Sequence, residues 1–155
     1  MDVLEVLRTE FAKDDEVDYA RLADQLGSSA VRALEELVGA EDPRIASQAV
    51  YLAGLIDGSG SFEVVAAGAA SRHAIVRVSA AFALPRLPAG PASKLAIRLL
   101  SDPDAGVRGR AVRFAAPSRD PLLVRKAQEI AERDEEQWLR ELAARLLDTN
   151  GGPPG

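Results

Sequence analysis

The sequence has no cysteine, which excludes disulfides and thiolate metal sites and points to a reducing compartment. It has one histidine, His73; a lone histidine at the start of a helix reads as a cap or surface residue, not as a catalytic base or ligand. Aromatic residues make up only 5% of the chain. A core of alanine, leucine and valine with few rings suits closely packed helices better than a β-sandwich. No uninterrupted apolar run is long enough to cross a bilayer. The start, Met1-Asp2-Val3-Leu4-Glu5, lacks the basic opening and apolar stretch of a signal peptide. These absences together predict a soluble, cytoplasmic protein with no membrane partner.

What is present is globular: 155 residues, 47% hydrophobic and 28% charged, enough for one packed core and short for two ordinary domains. The net charge of −5 argues against bulk nucleic-acid binding. Its distribution is uneven. Residues 1–40 hold ten acids and four bases (net −6), residues 41–120 seven and ten (+3), residues 121–155 seven and five (−2). The middle is basic and both ends are acidic.

An internal repeat is the main signal. Ile45-Ala46-Ser47-Gln48-Ala49-Val50, Val76-Arg77-Val78-Ser79-Ala80-Ala81 and Val107-Arg108-Gly109-Arg110-Ala111-Val112 follow one another at intervals of 31 residues. A looser copy, Leu139-Arg140-Glu141-Leu142-Ala143-Ala144, falls one residue out of step. Each copy carries an apolar residue at i, small residues at i+4 and i+5, and apolar residues at i+7 and i+8, the stripe of a buried amphipathic helix. Asp42-Pro43 and Asp102-Pro103 introduce two of them, as N-cap and first-turn proline. Breakers at Gly58-Ser59-Gly60, at Pro88 to Pro91, and at Pro117 and Pro121 separate second helices such as 92–100. The spacing predicts five helix pairs: 2–12 with 16–26, 28–39 with 43–56, 60–70 with 72–86, 90–101 with 104–116, and 120–133 with 135–148. It predicts one domain over 1–149, with 1–27 a degenerate cap pair, 28–148 four repeats, and 150–155 a disordered tail.

Asp-Pro followed by Val-Arg and a small pair resembles the HEAT repeat, in particular the short HEAT-like repeat of the phycobilisome-lyase type, over residues 28–148. The resemblance implies an all-α, armadillo-like α-solenoid, a right-handed superhelix whose Val-Arg helices line the concave face. It also implies that Arg77, Arg108 and Arg140, with Asp42, Asp102 and Asp134, form a structural ladder between repeats. Members of that family mostly hold proteins together, and some act on DNA or attach pigments.

If the stripe is interior, positions i+2, i+3 and i+6 face outward. Position i+3 reads Gln48, Ser79 and Arg110, and position i+6 reads Tyr51, Phe82 and Arg113. Two rings and two arginines in adjacent columns are the side chains that most often anchor interfaces. These six residues are the expected partner-binding site. Trp138, beside Leu139 and Leu142, is expected to seal the C-terminal end of the core. The clusters Asp14-Asp15-Glu16-Asp18 and Asp134-Glu135-Glu136 fall at predicted helix starts, where the helix dipole favours acids, and their spacing is not that of a calcium loop. Gly58-Ser59-Gly60-Ser61 reads as a turn and N-cap, since neither a phosphate loop nor a nucleophile elbow has this spacing.

The function expected is therefore a non-enzymatic adaptor or scaffold without a cofactor, a monomer or weak homo-oligomer whose basic concave face receives an acidic protein segment. The competing reading is a HEAT-fold DNA glycosylase or a chromophore lyase. The former would need a broadly basic channel and a carboxylate among aromatics.

Overall fold

A computed structural model describes residues 2–151, the side chains of residues 150 and 151 excepted. Among the described residues every regular element is a helix. The chain divides into two compact units, residues 1–87 and 88–155.

The first unit contains α1 (Val3–Phe11), α2 (Tyr19–Leu26), α3 (Val31–Leu37), α4 (Pro43–Ala53), α5 (Ser59–Ala69) and α6 (Ala74–Ala83). Short 3-10 turns at Gly27–Ala30 and Leu84–Arg86 follow α2 and α6. The helices form two layers. In one, α3 lies between α1 and α5; in the other, α4 lies between α2 and α6, and α3–α4 and α5–α6 pack across the layers. Leu7, Leu22, Leu34, Leu37, Leu52 and Val65 fill the space between. The second unit repeats the scheme with α7 (Ala89–Leu100), α8 (Ala105–Ala115), α9 (Pro121–Arg133) and α10 (Gln137–Gly151). There α7 packs on α9, α8 on α10, and each on its hairpin partner.

The predicted helices are all present, shortened by up to three residues at an end. α5 and α7 each start one residue earlier than expected, and α10 runs on through residues 150 and 151 of the expected tail; 152–155 lie outside the described residues. The 31-residue interval is visible in the caps. Asp42, His73 and Asp104 are the N-caps of α4, α6 and α8. It is visible in the interior too: Ala49, Ala80 and Ala111 are fully buried, as are Val50 and Val112, with Ala81 2% exposed.

Two expectations need correction at the helix starts. Asp102 does not cap α8; Asp104 does, accepting from the Val107 amide at 3.0 Å. Asp102 instead accepts from the Asp104 amide at 2.9 Å, which keeps Pro103 outside the helix. Ile45 is half-buried, while Val76 and Val107 are fully buried. Where α6 and α8 carry Arg77 and Arg108, α4 carries Ala46, and it is this small residue that turns inward (2% exposed). The glycine turn before α5 also differs in detail. Gly58 is the N-cap residue, with φ 125°, a region that side chains avoid, and Ser61 is buried with no hydrogen-bond partner for its hydroxyl.

Three turns share one device. Arg77 donates to the Ser71 carbonyl at 3.0 Å, Arg108 to the Asp102 carbonyl at 2.8 Å, and Arg140 to the Asp134 carbonyl. In each the residue six back also accepts, through its side chain, the amide two residues further on: His73, Asp104 and Glu136. A guanidinium thus closes each interhelical turn, because its several donors can reach carbonyls left unpaired there. Asp42 has no part in this arrangement. It matches His73 and Asp104 and caps α4 by accepting from the Arg44 amide at 2.9 Å.

Arg108 also makes a bidentate ion pair, with Nε 2.9 Å and Nη2 3.0 Å from the two Asp134 carboxylate oxygens. The side chains are 9% and 6% exposed. Asp134 feels burial, which raises its pKa, but the Arg108 hydrogen bond and the Glu136 amide outweigh it and hold the carboxyl below the ordinary range.

Candidate functional site

The α4–α6 contact positions the site. Both helices present small residues to each other: the Ser47 and Ser79 hydroxyls are 2.6 Å apart, and Gly54 lies against Ala83. Close backbones bring the next outward positions together as well. Tyr51 and Phe82, 31 residues apart in sequence, meet edge to face with ring centroids 6.3 Å apart at 65°. They are 40% and 43% exposed. Ile75, seven residues before Phe82 and hence on the same side of α6, is 51% exposed.

The row extends beyond the repeat. Tyr19, from the first turn of α2, stands edge-on to Tyr51 at 4.7 Å and 60°, and Phe11, at the end of α1, lies 6.3 Å from Tyr19. Four of the chain's seven aromatic side chains therefore form one line, buried at Phe11 and open at Tyr51 and Phe82. Burial raises the Tyr19 pKa, with the neighbouring Gln48 side chain opposing and Tyr51 adding to it. The phenol stays neutral, as an interface ring with one wet end should.

Beside the row runs an open cleft of about 520 Å³, lined by Glu16, Asp18, Tyr19, Tyr51, Leu55 and Arg86 among others. A smaller hollow of about 70 Å³ adjoins it, sharing Tyr51, Leu55 and Arg86 and adding Phe82 with Gly54 and Ala83 behind it. Asp18 caps α2 through the Arg21 amide at 3.0 Å, which fixes the loop at that edge, and Asp14, Asp15 and Glu16 are exposed on the same connection.

Of the six residues expected at the site, Tyr51 and Phe82 face outward together, and Gln48 is half-buried beside Tyr19. Ser79 is a correction: it is buried (7% exposed) beneath the rings, bonded to Ser47. In α6 position i+3 faces the neighbouring helix, because hydroxyl-sized side chains let α4 come close. Ser79→Ala is expected to cost about 1 kcal/mol in urea unfolding while leaving partner binding unchanged, since the side chain is buried.

Arg110 and Arg113 lie on α8, in the second unit, three residues apart on one side of the helix; Arg113 is exposed and Arg110 half-buried. Trp138 is another correction. It is 48% exposed and rests on α8, where a Cβ added at Gly109 would come within 3.0 Å of the ring. Leu139, fully buried, fills the interior in its place. His73 caps α6 through its backbone alone, its Nε2 accepting from Arg72 Nε at 3.2 Å.

Tyr19 and Phe11 escaped the sequence reading, as did the placement of the Asp14-Asp15-Glu16-Asp18 cluster beside the rings, because the first helix pair carries no copy of the repeat from which to count outward positions. Among the described residues no three or more histidine, cysteine or acidic side chains are grouped to hold a metal ion, and no helix is long and apolar enough to cross a membrane. No protein-family model matches the sequence, and no curated protein matches it.

Proposed function

We propose that this chain is a non-enzymatic protein-interaction module, an α-solenoid of HEAT type whose right-handed stack of about five hairpins presents its second helices to a partner. The 31-residue interval shared by N-caps, interior alanines and the turn arginines Arg77 and Arg108 supports the repeat. The observation that carries the function is the exposed pair Tyr51 and Phe82. Two large rings held at 6.3 Å and left about two-fifths open to solvent form the kind of rigid aromatic anchor that interfaces use.

The acidic-segment partner attaches to Arg110 and Arg113, exposed or half-exposed side chains of a unit with eleven bases and ten acids. The nucleic-acid reading gains one feature, carboxylates beside rings in the 520 Å³ cleft. It loses more, because residues 14–18 set four carboxylates where a phosphate backbone would have to pass.

The test is affinity capture from the native host, followed by mass spectrometry, with three baits of equal helicity by circular dichroism. Proteins held by the wild type are expected to be lost with Tyr51→Ala/Phe82→Ala, and those held through acidic segments with Arg110→Glu/Arg113→Glu. Retention of every captured protein by both variants would overturn the reading.

A further inference from the structure

We infer that the ring cleft of the first unit takes a basic segment of a partner protein, an arginine or lysine side chain laid against Tyr51 with its charge toward Glu16 and Asp18. This rests on the docking reading above and gives its first unit a partner of opposite sign to the one the α8 arginines would take.

The argument is one of charge and ring geometry. The first unit holds fourteen acids and eight bases, net −6. The acids nearest the rings, Glu16 and Asp18, line the cleft itself, and Asp14 and Asp15 sit exposed on the same loop. An acidic segment would enter against all four. A cation gains twice, from the carboxylates and from the ring faces, whose quadrupole attracts positive charge. Edge-to-face packing of Tyr19 on Tyr51 and of Tyr51 with Phe82 holds these rings at fixed tilts, so little side-chain entropy is lost when a ligand settles.

The bases nearby are accounted for. Lys13 and Arg21 both pair with Glu10, at 2.9 and 3.4 Å, and neither lines the cleft. Arg86 does, and it also lines the Phe82 hollow, which the acids do not reach. The cleft is therefore polarised, acidic at the Tyr19 end and cationic at the Phe82 end. That selects a segment whose basic residue has neutral or acidic residues on one side, not an unbroken basic run.

The probes are two pentapeptides, Ala-Arg-Ala-Ala-Ala and Ala-Glu-Ala-Ala-Ala, capped at both ends and titrated into the isotope-labelled full chain at constant ionic strength. The arginine peptide is expected to shift amides at 16–20, 51–55 and 82–86, and the glutamate peptide to leave them in place. Tyr51→Ala is expected to weaken arginine-peptide binding about threefold, and Glu16→Gln/Asp18→Asn, which keeps a side chain able to cap α2, by a similar factor. A control that removes two charges elsewhere, Glu35→Gln/Glu63→Gln, should change nothing. Equal weakening by that control, or shifts spread over the acidic surface, would reduce the effect to bulk charge and overturn the inference. If both peptides bind equally and both need Tyr51, the ring face docks partners but charge does not choose them. If neither needs Tyr51, the docking reading of this face falls as well.

Discussion

Replacing Gly54 by valine is expected to unfold the Tyr51–Phe82 pair and destabilise the protein together. A Cβ at position 54 would stand 2.8 Å from the Ala83 Cβ and 3.4 Å from its Cα. Neither atom can swing aside, because alanine has no rotamer to change, so α4 and α6 must separate. Overpacking of this kind costs about 3 kcal/mol, equivalent to roughly 8 °C of melting temperature in a chain this size. The same movement opens the 6.3 Å ring contact and stretches the Ser47–Ser79 hydrogen bond. The variant should therefore weaken arginine-peptide binding by up to about threefold at temperatures where circular dichroism still reports a full helix signal. A valine variant that melts and binds as the wild type would show that the close helix approach does not set the ring spacing.

The second large effect is expected at Asp134. Asp134→Ala leaves the Arg108 guanidinium, 9% exposed, with turn carbonyls and only the solvent-exposed Glu135 carboxylate, 3.8 Å away, as counter-charge, and removes the acceptor for the Glu136 amide. Breaking one side of a buried pair costs about 3–5 kcal/mol, read as a lower urea midpoint. Arg108→Met/Asp134→Ala, which removes both charges, should recover part of the loss, because the penalty is chiefly the orphaned cation.

The pair also sets a pH dependence. The Asp134 carboxyl is held below its ordinary value of 3.8 in the folded protein. Its contribution is complete above that value, where the unfolded chain is ionised too, and is lost as pH falls below it and through the lowered folded value. The urea midpoint of the wild type should drop on acidification below about pH 4. That of Asp134→Asn should drop less over the same interval. Equal slopes would mean that other carboxylates carry the acid sensitivity.

The arginine ladder shows how far a pattern can be followed. Spacing alone places Arg77, Arg108 and Arg140 at equivalent turns, and each does reach a carbonyl six residues back. A bridge to a neighbouring turn depends on what the chain brings opposite, and for Arg108, within the second unit, that is Asp134. Outward positions followed the same rule. Tyr51 and Phe82 point out as counting predicts, whereas Ser79, counted outward, is buried, since the side chains of α4 leave room for α6 to sit close.

The sequence by itself determined the helices, the 31-residue interval and the outward rings, because those follow from local periodicity, caps and breakers that neighbouring residues impose on each other. Tertiary structure alone decided that Phe11 and Tyr19 extend the aromatic row, that carboxylates border it, and that Arg110 and Arg113 belong to a different compact unit. Those facts depend on contacts between segments far apart in the chain, and a helix without a copy of the repeat carries no local mark of which helix it will meet.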